Sequence, residues 1–197
     1  AGETNQVVMF AGTRGISGTM NTATADPAQV MVGFTTGSAS GKNVVVFGKS
    51  DDGVATMDTY GYCQTGECIA VSSSAGANEL TCRAILGSFG VDKFTLNWLE
   101  TVIDAACCIF LAIKGGSWTA GAYTIDGSTG SATATVSGLS YAPIGLSLIG
   151  RMTAQDTNDT VTDHNRIGFG CGSSTTSRRS IGAHDQDASA TSGILSV

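Results

Sequence analysis

Residues 89–116 read FGVDKFTLNWLETVIDAACCIFLAIKGG, and two kinds of hydrophobic pattern follow one another there. Over residues 93–99 apolar and polar positions alternate, with Phe94, Leu96 and Trp98 on one side and Lys93, Thr95 and Asn97 on the other. A period of two marks a strand with one buried face. Residues 107–114 form instead a continuous apolar run closed by Gly115 and Gly116, about one strand long and far short of a membrane span. A run without a polar side predicts a strand covered on both faces, and its Cys, Ile and Phe favour that over the rival, a buried helix. Residues 100–106 leave room for an antiparallel return, so the two segments are expected to pair as a central hairpin over 93–114.

The rest of the chain is punctuated in the same way. Residues 6–11 (QVVMFA), 30–35 (VMVGFT) and 43–49 (NVVVFGK) are strand candidates, separated by turn-rich breaks at 12–18 and 37–41 and closed by Asp51-Asp52-Gly53. Residues 55–63 alternate weakly and read as an amphipathic edge strand, while 67–72 and 80–89 flank a polar tip at 73–78. Asp126-Gly127 and Thr129-Gly130 are further turn signals. Strand candidates recur at roughly the eight-to-twelve-residue spacing of sandwiches, with no sustained helical period. The expected class is all-β, an antiparallel β-sandwich of jelly-roll-like character.

Composition sharpens this in two respects. Of 197 residues 27 are Gly, only Pro27 and Pro143 are proline, and 13% are charged, so the glycines are turn chemistry and not a linker or collagen composition. A net charge of −6 argues against a groove that tracks a phosphate backbone, so nucleic acid is not an expected partner, and with its apolar run too short to span a bilayer no membrane is expected either. The six cysteines, Cys63, Cys68, Cys82, Cys107, Cys108 and Cys171, lack the spacing of a small secreted disulfide framework, and most are read as reduced, buried, small hydrophobes. Adjacent Cys107 and Cys108 point to opposite faces of a strand, whereas Cys63 and Cys68 are spaced to bridge a local turn in an oxidising compartment. The opening AGETNQVVMF has neither a basic flank nor a long apolar region, so no secretory leader is expected in it, and its missing Met implies a removed start.

A faint internal echo divides the chain at about residue 131. Val32-Gly33-Phe34-Thr35 recurs 135 residues later as Ile167-Gly168-Phe169-Gly170, and Val8–Gly12 meets Leu146–Gly150 at a shift of 138. The expectation is a first β unit over 1–131 containing the central hairpin, and a second, partial unit over 132–197. Residues 194–197 would then correspond to the strand near 68–72, and the hairpin's counterpart would be missing. Either the protein continues, or strands from elsewhere, a neighbouring subunit included, complete the second unit.

Candidate chemistry is sparse. Gly37 to Asn43 resembles a phosphate loop but has three residues between its glycines, Asn43 in place of the metal-binding hydroxyl, and a strand after it, so a hairpin turn is the better account. Gly168, Gly170 and Gly172 lack dinucleotide-binding spacing. Ser147 sits in no nucleophile elbow, since Ile149 replaces the needed glycine. His164 and His184, with Asp163, Asp185 and Asp187, are candidates for a metal or acid–base site, but solvated loops explain them more simply. The pairs Asp51/Asp52, Asp156/Asp159 and Asp185/Asp187 fit turn caps better than glycan hydrolysis, and residues 156–159 lack the Gly and distal Glu of a calcium loop. Asn158 heads a glycosylation sequon, and Arg178-Arg179 reads as a solvated turn. No catalytic, cofactor-binding or metal-binding residue is assigned. Trp98 is expected in the core, and Trp118 is the better candidate for a ligand surface.

VDKFTLNW followed by LAIKGG resembles a repeat in structural proteins of tailed bacteriophages, in which a D-x-x-G-F-T-L-N-W-like strand precedes an A-L-x-G-G strand. VVMFAG, VGF and SDDGVATMDTY are similar to earlier parts of the same unit, and Lys93 stands where glycine is common. The resemblance covers most of 6–116 and, more faintly, 138–197. It implies a non-enzymatic virion component assembled in the bacterial cytoplasm, a capsid decoration or head-fibre protein whose partners are other virion proteins and copies of itself. The alternatives are a tail or fibre domain meeting a host-surface glycan, and a carbohydrate-binding sandwich.

Overall fold

The computed structural model describes residues 4–14, 28–51, 58–72, 80–100, 106–122, 135–139, 141–151, 162–163, 165–174, 176–185 and 193–196. Thirteen strands run through them: β1 Thr4–Arg14, β2 Ala28–Thr35, β3 Asn43–Asp51, β4 Asp58–Thr65, β5 Ile69–Ser72, β6 Leu80–Phe89, β7 Phe94–Trp98, β8 Ala106–Trp118, β9 Leu146–Arg151, β10 Thr162–Asp163, β11 Asn165–Gly172, β12 Arg178–Asp185 and β13 Gly193–Ser196. A single 3-10 turn at Ser40–Lys42 is the one helical element among the described residues. The protein is all-β, and every strand pairing is antiparallel.

Three sheets form. The largest has six strands in the order β10-β4-β3-β2-β1-β8, the second has the order β5-β6-β7, and the third β13-β12-β11-β9. In the largest, β1 to β4 make a meander, and the chain then leaves for the second sheet before β8 returns to lie against β1, the closure a Greek key uses. Alternation along these strands sends Val8, Phe10, Met31, Val45, Phe47, Tyr60 and Tyr62 to one face, where they pack with Ile69, Val71, Leu80, Cys82 and Ala84 of the second sheet. Two sheets sharing one apolar layer is the sandwich arrangement that the period-two patterns demand.

The expected central hairpin does not form. β7 pairs with β6, through Leu86↔Leu96 and Phe89↔Phe94, while β8 pairs with β1, from Arg14↔Ala106 to Gln6↔Lys114. The two segments lie in different layers and meet through side chains, with the Phe94 and Phe110 rings 5.2 Å apart at 79° and the Phe10 and Phe94 rings 5.7 Å apart at 78°. Edge-to-face packing of this kind joins the layers where a main-chain ladder was expected.

The third sheet repeats the neighbour order of the first meander, β9-β11-β12-β13 standing as β1-β2-β3-β4 do. Its register is displaced: Val32 faces Val46, yet Ile167 faces Ala183 and Phe169 faces Ile181. A two-residue displacement keeps every side chain on its own face, so the pattern survives it. β13 flanks β12 as β4 flanks β3, so residues 194–196 answer to β4 and not to the strand near 68–72. Nor does this segment stand apart from the first. β10 pairs with β4, and β9 and β11 lie against β3 and β4, where Val46 and Ile167 are buried.

Where β5 begins, it crosses β2 so closely that a Cβ built on Gly33 would collide with the carbonyl oxygen of Cys68. Backbone cannot yield as a side-chain tip can, so Gly33→Ala is expected to cost about 3 kcal/mol, the upper range for overpacking, in urea unfolding. Gly41→Ala, with nothing within 4 Å of its Cβ position, serves as the near-neutral control.

Candidate functional site

β8 ends the largest sheet. It carries β1 on one side, and among the described residues no strand lies on the other. Its apolar run therefore comes to the surface: Ile109 is 67% exposed, Phe110 61% and Leu111 55%. The expectation of a strand covered on both faces is thus corrected. Successive residues point to opposite faces, and at a sheet edge neither face has an outer neighbour to close over it. Cys108 is exposed for the same reason. The run stops at Gly115 and Gly116, whose φ angles of 101° and 75° lie where side-chain-bearing residues are strained. Trp118 folds back over this break, its ring N–H donating to the Gly115 carbonyl at 2.6 Å. The expected ligand-surface tryptophan thus spends its polar group locally, whereas Trp98, expected in the core, is 49% exposed.

Behind this edge a charged cluster braces the second sheet. Arg83 lies between two carboxylates, donating from Nη2 and Nε to Glu67 at 2.6 and 3.1 Å and from Nη1 to Glu100 at 2.7 Å, while the Tyr62 hydroxyl donates to Glu67 at 3.2 Å. Burial alone would lower the Arg83 pKa, but its hydrogen bonds to Glu67 and Glu100 outweigh that and hold it above the usual value. Burial, then the Glu67 charge, raises Tyr62. These groups tie β4, β6 and the chain after β7 into one unit, and sequence spacing gave no sign of them.

The phosphate-loop-like segment is a turn, as expected. The buried Asn43 amide donates to the Gly37 and Ala39 carbonyls at 2.9 Å each, and its Oδ1 accepts from the Leu86 N–H at 3.2 Å. Asn43 therefore clips the β2–β3 hairpin to β6. Arg178 and Arg179 open β12 beside a shallow groove of about 740 Å³ that also touches Cys171 and Ile144. His184 and Asp185 end β12, opposite Arg166 and Asn165, while Asp51 ends β3 opposite Asp58. His164, Asp52, Asp156, Asn158, Asp159 and Asp187 lie outside the described residues. Among the described residues, no group of three or more His, Cys, Asp or Glu is gathered where it could hold a metal ion, and no helix is long and apolar enough to cross a membrane.

No disulfide joins Cys63 and Cys68. Cys63 is half-buried, and Cys68 is buried with its Sγ 3.5 Å from the Ala84 carbonyl. Cys82 is buried as well, but Cys108 and Cys171 are exposed, so the view of the cysteines as mostly buried is corrected. Burial first, and the nearby Cys108 thiol second, push Cys68 up to about 12 and Cys82 up to about 11.

No family model matches the chain, and neither a curated protein nor a solved structure does.

Three outcomes are expected. Removing Arg83 (Arg83→Ala) leaves Glu67 buried without its cation and should cost about 3 kcal/mol in chemical denaturation. The raised thiol pKa values favour the protonated, folded state, so their contribution is complete below pH 9, the unperturbed value, and is lost as pH rises through about 11 to 12. Thermal melts should show stability falling across that window, and a thiol reagent at neutral pH should label Cys108 and Cys171 in the folded protein but Cys68 and Cys82 only after unfolding.

Proposed function

We propose that this chain is a non-enzymatic structural subunit that assembles by burying its surface against neighbouring subunits. The observation that carries the reading is β8, an outer strand with three consecutive large apolar side chains each more than half exposed. Long apolar edges are what folded proteins blunt with charge, proline or bulges, and an edge left unblunted is a docking strand. The sequence resemblance to phage structural repeats narrows the assembly to the virion of a tailed bacteriophage, formed in the host cytoplasm, with the chain as a capsid decoration or head-fibre protein. Its partners are then other virion proteins and further copies of itself, and many modest contacts add up through multivalency.

A second reading has one observation in its favour. Trp98, half exposed on β7, offers a flat apolar face of the kind that stacks on a sugar ring, which suits a tail or fibre domain meeting a host-surface glycan, or a carbohydrate-binding sandwich.

Mass spectrometry of purified particles, with labelled antibodies to locate the chain, separates these readings. The chain is expected as a stoichiometric component on the capsid surface. Its absence from particles would overturn the virion role, and label confined to tail tips, together with loss of glycan binding in Trp98→Ala, would favour the second reading.

A further inference from the structure

We infer that β8 is the seam through which two copies of this chain join, strand against strand across a two-fold axis, merging two six-stranded sheets into one. The inference rests on the assembly reading only in taking the exposed edge as an interface; it adds the partner, the strand and the register.

Three features of the strand select a second copy. The first is main-chain geometry. β8 runs over 13 residues, and its pairing with β1 is regular from Gln6↔Lys114 to Arg14↔Ala106, the one irregularity falling at the far end between Thr4 and Gln6. Over Ala106–Lys114, before the positive-φ Gly115 and Gly116, the edge is unbulged and presents outward N–H and C=O groups in the alternating narrow and wide pairs that a further antiparallel strand needs.

The second is charge. Lys114 is the one charged residue on β8, and it stands at the end of the apolar run. In an antiparallel two-fold pairing centred on Phe110, Lys114 faces Ala106 of the partner subunit, so the two lysines lie at opposite ends of the seam. Registers centred nearer Lys114 bring the like charges together, which disfavours them. Charge therefore excludes registers displaced toward Lys114, and of those that remain the one centred on Phe110 overlaps the whole apolar run over 107–113.

The third is shape. In that register Ile109 faces Leu111 of the partner subunit, Cys108 faces Ala112 of the partner subunit, and Phe110 meets its own copy beside the Phe94 ring. Facing residues share a face of the joined sheet, so Ile109 and Leu111 make one apolar stripe and Phe110 another. These three side chains together expose on the order of 400 Å² in each copy, divided between the two faces of the sheet, about half of what a standard interface takes from each partner. Main-chain pairing adds to this, toward the roughly 800 Å² per partner of a standard interface.

Sedimentation velocity on the purified chain, over a dilution series, tests the inference. Wild type is expected at twice the chain mass, falling to the chain mass on dilution. Leu111→Lys, away from the Phe94 contact, and Phe110→Lys, which sets two ammonium groups face to face, should each abolish the doubling. Circular dichroism and the unfolding midpoint of Leu111→Lys should match wild type. Ala112→Cys places a thiol opposite Cys108 of the partner subunit, so copper-phenanthroline, an oxidant of paired thiols, should form a covalent dimer that Cys108→Ser in the same chain prevents. A wild type at chain mass throughout, doubling that survives both lysine variants, or a dimer that does not cross-link would each overturn the seam. A chain that dimerises this way but is absent from particles refutes only the virion role, and a monomer found in particles refutes only the seam.

Discussion

A sheet that does not close on itself has two edges, and each leaves a row of main-chain donors and acceptors facing outward. In this protein the two ends of the largest sheet are finished differently. At one, β4 is capped by the two-residue β10, brought back from the chain's C-terminal part. At the other, β8 is long, regular over Ala106–Lys114, and apolar on both faces there. Two contacts hold that strand in place: β1 aligns it along ten residue pairs, and the Phe94 ring meets Phe110 from the opposite layer.

Much of the strand inventory was legible. Alternation at Phe94, Leu96 and Trp98 and the triple Val of β3 specify strands because the pleat sorts neighbouring residues to opposite faces. The turn at residues 37–43 was legible from its glycines, and Asn43, which rules out a phosphate loop, proves to be its clip. Pairing partners were less accessible. Alternation reports that a face is buried but not what buries it, and proximity in sequence made a β7–β8 hairpin look cheapest when the chain in fact crosses between layers. The apolar run of β8 states a demand for cover on both sides. Whether the cover lies in the same chain is not written in the run itself, so the run alone predicts a buried strand where the fold has an exposed edge.

The charged brace was invisible for a different reason. Glu67, Arg83 and Glu100 lie 16 and 17 residues apart, on no common element, and only the fold brings them together. Breaking such a buried cluster is costly because each charge depends on the others for compensation. Asn43 fastens the β2–β3 hairpin to β6, and the brace links β4, β6 and the chain after β7. In the proposed role, contacts already made in the free subunit reduce the ordering that strand pairing at the edge has to impose.

Hydrogen exchange followed by mass spectrometry on peptides covering Ala106–Trp118 tests the central claim most directly, because it reads the edge itself. If β8 is an open edge that a second copy covers, the alternate amides that point away from β1 should exchange quickly in dilute protein and slow markedly as concentration rises, while the β8 amides paired with β1 and peptides from β3 stay unchanged. Equal protection of β8 at every concentration would contradict the account, since the strand would then be either permanently covered or never engaged.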